Sequence, residues 1–150
     1  MATWIEVKAR YEKRMDNGVE KFVVEPYLVD AMSCTEAEAR VVEELTPFTD
    51  GNMSVTACSK TKFAEVFNLD GTEDRFYRAK VNFITIDEKT AAEKKTATFI
   101  LVRAADFYEG VRNLREGMKG TMADWELESL SETKIVDVYR YKNMPQENDG

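Results

Sequence analysis

Ser59-Lys60-Thr61-Lys62-Phe63-Ala64-Glu65-Val66-Phe67 returns later in the chain as Ser131-Glu132-Thr133-Lys134-Ile135-Val136-Asp137-Val138-Tyr139. The stretches start at 59 and 131, a shift of 72, and four of the nine positions are identical. Phe63/Ile135, Glu65/Asp137 and Phe67/Tyr139 keep their character. An internal repeat governs the whole fold. Working outward, Leu28-Val29-Asp30-Ala31 matches Leu101-Val102-Arg103-Ala104 at a shift of 73. Beyond it Ser33 falls on Asp106, Glu36 on Glu109, Val41 on Leu114 and Leu45 on Met118. Near the amino end, Val7–Tyr11 matches Ala79–Phe83, again at 72. The one-residue slips fall where turns are expected, and turns tolerate insertions.

Each unit reads strand, strand, helix, strand. Ile5, Val7, Ala9 and Tyr11 alternate with Glu6, Lys8 and Arg10, the period of a half-buried strand. Asp16-Asn17-Gly18 supplies a hairpin turn, because Asn-Gly accepts positive φ at little cost. The second strand, Phe22 to Ala31, contains Pro26, which places it at an edge or bulge there. Ser33 and Glu36 make a capping box that opens a helix running to about Leu45, with Ala37, Val41 and Leu45 along its apolar face. In the second unit Asp106 and Glu109 take those roles, and Phe107, Val111, Leu114 and Met118 form the stripe. Pro47 and the pair Gly117/Gly120 end the two helices. Asn68-Leu69-Asp70-Gly71 joins the units as a turn rather than a linker.

The predicted fold is therefore α+β: two tandem pseudo-symmetric ββαβ repeats, about 3–68 and 75–140, fused into one antiparallel-sheet domain with two helices over 1–141. Fusion is favoured because roughly 70 residues make a marginal core alone. Residues 142–150 read as a flexible polar tail.

Composition sets the outer bounds. With 43% hydrophobic and 33% charged residues, the 150-residue chain is too apolar to be disordered. No apolar run approaches the ~20 residues that span a bilayer, and Met1–Lys8 has no signal-peptide core, so a cytoplasmic protein is expected. A net charge of −7 disfavours duplex DNA as a partner, since phosphate neutralisation needs clustered cations. Cys34 and Cys58 are too few and too widely spaced for a zinc cage or disulfide framework, and read as buried, reduced thiols.

Signals for catalysis are thin. The chain has no histidine, and so lacks the usual base near neutral pH and the commonest metal ligand. Gly117-Met118-Lys119-Gly120-Thr121 resembles a phosphate loop superficially but follows a helix instead of opening one. Glu43-Glu44 and Glu126/Glu128 read as solvated surface carboxylates, and Cys58 has no histidine to activate it. No cofactor and no metal site are expected.

Two features suggest binding. The doubled Ser59, Thr61 and Lys62 with Ser131, Thr133 and Lys134 present hydroxyls and ammoniums suited to phosphate or carboxylate. On one continuous strand Ser59 and Thr61 would face one side and Lys62 the other. The second feature is the polar face of each first strand: Trp4, Lys8 and Arg10, with Glu6, matched by Phe76, Arg78, Lys80 and Asn82. Aromatic and basic groups together stack a base and hold its phosphate. The plain structural alternatives are good strand composition for the first and a solvated sheet face for the second.

Further residues carry a family resemblance. Glu25-Pro26-Tyr27-Leu28-Val29-Asp30-Ala31 with Thr35–Arg40, Lys80–Thr85, Glu93–Ala97 and Gly117–Asp124 resemble an uncharacterised domain-of-unknown-function family of Bacteroidales bacteria and their phages. The resemblance covers roughly Trp4 to Tyr139 and implies no catalytic residue. It implies a phage or mobile-element setting. The function expected on all these grounds is non-enzymatic binding, most concretely sequestration of a small anionic or nucleotide signal of host defence. The alternatives are a protein–protein inhibitor or virion component acting on a host protein, and a single-stranded nucleic-acid binder.

Overall fold

Residues 3–49 and 52–141 are described by the computed structural model, so the tail 142–150 lies outside the described residues. The Trp4–Arg14 strand (β1) turns through Asn17-Gly18 into Glu20–Asp30 (β2). Gly18 takes φ +82°, and Gly18 N–H donates to the Met15 carbonyl at 2.9 Å. Next comes helix α1, Cys34–Leu45. The Ser33 hydroxyl accepts from the Glu36 N–H at 3.2 Å, satisfying one of the orphan donors of the first turn. A 3-10 turn over Thr46–Phe48, carrying Pro47, ends α1, and β3 follows over Met53–Lys60.

The second repeat runs the same course through β5 (Arg75–Ile86), β6 (Glu93–Ala104), α2 (Phe107–Gly117) and β7 (Asp124–Glu132). The Asp106 carboxylate caps α2 by accepting from the Glu109 N–H at 2.9 Å. Two short strands complete the set, β4 (Phe63–Phe67) and β8 (Asp137–Tyr139). The fold is α+β, with two helices and two four-stranded sheets.

The expected third strand of each repeat is in fact two strands, and this corrects the ββαβ reading to ββαββ. After Lys60 the chain leaves its own sheet. β4 joins the second sheet, in the order β4-β6-β5-β7, and β8 returns to the first, in the order β3-β1-β2-β8. The compact units are accordingly residues up to Thr61 with those from Ile135 onward, and Lys62–Lys134. Each exchanged strand pairs in parallel, Leu28 with Val138 and Leu101 with Val66, while every other pairing is antiparallel.

Pro26 explains where β8 begins. The Val136 N–H donates to the Pro26 carbonyl at 2.9 Å, and the parallel ladder starts at Tyr27. A proline N has no hydrogen to donate on that side, so the ladder extends no further toward the hairpin. Both repeats also share a bulge. Register slips between Lys8 and Ala9 against β3, and between Lys80 and Val81 against β7, leaving Thr56 and Glu128 as the extra residues.

In each unit the helix covers one sheet face. Ile5, Val7, Ala9, Tyr27, Val29, Ala37, Val41 and Leu45 pack as one cluster, and Ala79, Val81, Ile100, Val102, Leu114 and Met118 as the other. The α1 face is as expected. On α2 the face is turned slightly: Phe107 is 47% exposed, and Gly110 is buried instead. A Cβ on Gly110 would lie 3.0 Å from Leu130 Cδ2. In the first repeat Ala37 and the smaller Cys58 hold the matching positions, so side-chain volume moves from strand to helix.

Leu114 is fully buried, so Leu114→Ala should cost about 2–4 kcal/mol through the cavity it leaves, and Val41→Ala somewhat less. Phe107→Ala should change stability by less than about 1 kcal/mol. Urea denaturation of the three variants checks the order. A Phe107 effect as large as that of Leu114 would place the α2 core face wrongly.

Candidate functional site

The doubled threonines hold the chain at its crossings. Thr61 donates both its N–H, at 2.9 Å, and its hydroxyl, at 2.8 Å, to the Trp4 carbonyl. Thr133 does the same to the Phe76 carbonyl, at 2.8 and 2.9 Å. The repeat of Ser-x-Thr-Lys therefore has a structural cause, and these hydroxyl protons are directed at the backbone. What remains open to a ligand is Lys62 and Lys134, both exposed and in no ion pair among the described residues, with exposed Ser59 and Ser131 nearby in sequence.

On the first-strand faces the rings are buried and most of the charged groups have neighbours. Trp4 is 6% exposed and Phe76 is 0%, so neither ring offers a face to a base. Arg10 lies 4.0 Å above the Phe22 ring, and Arg78 5.5 Å from that of Phe99. Lys80 reaches Glu128 at 2.8 Å, whose other oxygen accepts from Asn82 at 2.9 Å. The Lys80 ammonium, then Asn82, holds the Glu128 carboxyl below its ordinary range. Glu126 pairs with Lys95 at 2.7 Å. Lys8 is exposed.

A concave site forms elsewhere, between the end of β2 and α1. It encloses about 150 Å³ and is lined by Val29, Asp30, Glu36, Ala39, Arg40 and Glu43, among others. Glu36, Arg40 and Glu43 share a helix face because residues three, four and seven apart do. Arg40 is engaged: its Nε donates to Glu44 at 2.8 Å and its Nη1 to the Arg140 carbonyl at 2.6 Å. Its guanidinium also lies 5.5 Å from the Tyr139 ring. Asp30 accepts the Thr3 N–H at 3.2 Å. Asp30, Glu36 and Glu43 thus line the site beside Arg40, whose guanidinium is committed.

Tyr139 extends this network into the unit. It stacks on Tyr27 at 5.8 Å with the planes 8° apart. Tyr27 and Tyr11 both donate to the Glu25 carboxylate, the former at 3.2 Å. Burial, then the bond to Glu25, pushes Tyr11 up to about 12. Burial also pushes Tyr27 and Tyr139 well above the usual phenol value.

The second repeat has none of this chemistry at the matching positions. Phe83 stands for Tyr11, Thr98 for Glu25, Ile100 for Tyr27, Asn113 for Arg40, Gly117 for Glu44 and Phe67 for Tyr139. A Cβ on Gly117 would overlap the Phe67 ring, so the glycine belongs to this apolar version of the packing. Asp30 is replaced by Arg103, which donates to the Leu69 and Glu73 carbonyls. The fold closes without the polar network, and the network belongs to the first repeat alone.

Cys34 and Cys58 are joined as a disulfide, with Cα atoms 6.0 Å apart, within the usual range. This corrects the reading of reduced thiols. Spacing along the chain did not reveal that the first residue of α1 lies over β3. Among the described residues no three His, Cys, Asp or Glu side chains gather to hold a metal ion, and no helix is long and apolar enough to cross a membrane.

A family model described as a domain of unknown function (DUF4494) matches residues 3–141. No curated protein and no solved structure matches the chain.

The tyrosine network gives a pH test. The folded state holds Tyr11, Tyr27 and Tyr139 as neutral phenols, so the stability they contribute is complete below about pH 10. It is lost as pH rises toward and through about 12. Ultraviolet titration should show three of the six tyrosines ionising late, alongside a fall in melting temperature that begins near pH 10. All six ionising together near 10 in the folded protein would contradict the network.

Proposed function

We propose that the chain, which belongs to the DUF4494 family of unknown function, is a non-enzymatic binding protein whose first repeat receives a basic group of a protein partner. The observation that supports this reading is the concavity lined by Asp30, Glu36 and Glu43: the two glutamates recur as Glu109 and Glu116, and Asp30, replaced by Arg103 in the second repeat, is the added carboxylate. The exchange of Asp30 for Arg103 leaves three carboxylates at these positions in the first repeat and two in the second. The net charge of −7 supports the same kind of partner by drawing cations toward the surface. In the phage or mobile-element setting implied by the resemblance, the partner is a host protein and the compartment is the host cytoplasm.

The second reading is sequestration of a small anionic or nucleotide ligand. Its support is the exposure of Lys62 and Lys134 at equivalent positions of the two repeats. Its weakness is that Thr61 and Thr133 direct their hydroxyls at carbonyls. A single-stranded nucleic-acid reading drew on Trp4 and Phe76, and their burial removes its stacking platform.

Calorimetric titration with an arginine-rich peptide and with a panel of nucleotides, including cyclic and ADP-ribose-derived ones, separates these readings. Glu36→Gln with Glu43→Gln should weaken peptide binding by about a hundredfold or more, since each charge-assisted bond contributes roughly 1.5–3 kcal/mol. Lys62→Met with Lys134→Met should leave peptide binding unchanged, because exposed lysines lose little but charge in that exchange. Nucleotide binding abolished by the lysine pair, with no peptide binding by the wild type, would transfer the function to the anionic reading.

A further inference from the structure

Cys34 is the first residue of α1, and Cys58 lies in β3 opposite Val7, on the sheet face that α1 covers. Their Cα atoms are 6.0 Å apart and their sulfurs are joined. Both residues are half-buried and pack against the first unit's core. In the second repeat Phe107 and Leu130 occupy these positions, and the same fold closes with no covalent bond. The bond is therefore an addition to the first repeat, as Asp30 is at the concavity. The helix it ties down is the one that supplies Glu36, Arg40 and Glu43 to that concavity.

We propose that Cys34 and Cys58 form a reversible thiol–disulfide switch that sets how firmly α1 is held on β3, and through α1 the competence of the concavity. The second clause rests on the binding reading above. The co-reactant is a low-molecular-weight disulfide of the glutathione class, R–S–S–R. One cysteine thiolate attacks a sulfur of R–S–S–R, forming a mixed disulfide and releasing R–S⁻. The other cysteine, as thiolate, displaces the second R–S⁻ from the mixed disulfide. Two cysteine thiols are oxidised, one R–S–S–R is reduced to two R–SH, and the two thiol protons pass to the two leaving thiolates. A dithiol reverses the sequence. In a reducing cytoplasm a persistent disulfide is rare, so the bond there reports a change in redox state.

The test is hydrogen–deuterium exchange on the full chain, fully oxidised with glutathione disulfide and fully reduced with dithiothreitol, each state verified by thiol alkylation and mass spectrometry. Reduction should speed amide exchange across Cys34–Leu45 by on the order of a hundredfold, the factor that closing a loop of this length removes from the opened state, while α2 amides stay unchanged. Arginine-rich peptide should bind more weakly to the reduced protein. The double variant Cys34→Ala with Cys58→Ala, which removes the bond and adds no volume beneath Ala37, should make α1 exchange independent of redox state. Equal α1 exchange in the two states, or a pair that neither reagent converts, overturns the switch. Altered α1 exchange with equal peptide affinity in both states overturns its control of the site. Altered exchange with no peptide binding in either state supports the switch and removes the binding reading instead.

Discussion

One carbonyl at each crossing governs the architecture. Trp4 offers its C=O to both the N–H and the hydroxyl of Thr61, and Phe76 does the same for Thr133. These paired bonds anchor the end of the third strand just before the chain leaves the sheet. Lys62 then starts a strand that completes the other four-stranded sheet, and Ile135 leads back to complete the first. Each sheet thus carries a strand from the other repeat. Pro26 and the shared bulge at Lys8 and Lys80 then fit one register, because each limits how far a neighbouring strand can extend or stay in phase.

The same pairing makes the two repeats a controlled comparison. Register relates Tyr27 to Ile100, Val29 to Val102 and Val7 to Ala79 without reference to side-chain type. Volume is conserved across several differences, as in Ala37 with Cys58 against Gly110 with Leu130. Polarity is not conserved at Tyr11, Glu25, Tyr27, Arg40, Glu44 and Tyr139, nor is charge at Asp30. Packing accounts for the first kind of difference, since both solutions fill the same space under one helix. It does not require the second kind, because Phe83, Thr98, Ile100 and Phe67 complete an equivalent core with no hydroxyl–carboxylate bonds.

Much of the fold was legible in the residues. The 72- and 73-residue shifts located both repeats, the capping pairs located both helices, and the face of α1 followed from Ala37, Val41 and Leu45. The break at Thr61–Lys62 was not legible, for a physical reason. Phe63, Val66 and Phe67 continue the apolar strand pattern, and neither glycine nor proline marks the departure. Which sheet a strand joins is decided by tertiary pairing, not by its own propensity. The disulfide was hidden for a related reason, since a spacing of 24 residues says nothing about which helix end lies over which strand. For the site, doubling drew attention to Thr61 and Thr133, where shared structure explains it. Asp30 against Arg103 was visible in the same alignment and pointed the other way, toward difference.

What recurs in both repeats at a strained or unusual place is first a property of the fold, and the threonine crossings are of this kind. What appears in one repeat only, at a position where the other closes its core without it, has no folding requirement behind it. Asp30 at the concavity, the tyrosine network behind it and the cystine on α1 all belong to this second class, whereas Glu36 and Glu43 recur as Glu109 and Glu116. They also meet one element: α1 lines the concavity with Asp30, carries the bonded Cys34, and places Arg40 over Tyr139. Three independent departures from the second repeat therefore converge on one helix of twelve residues. A helix held from its first turn by a covalent bond and at its middle by the Arg40 bond to the Arg140 carbonyl keeps its charges at fixed positions, and fixed charges favour recognition of a complementary group.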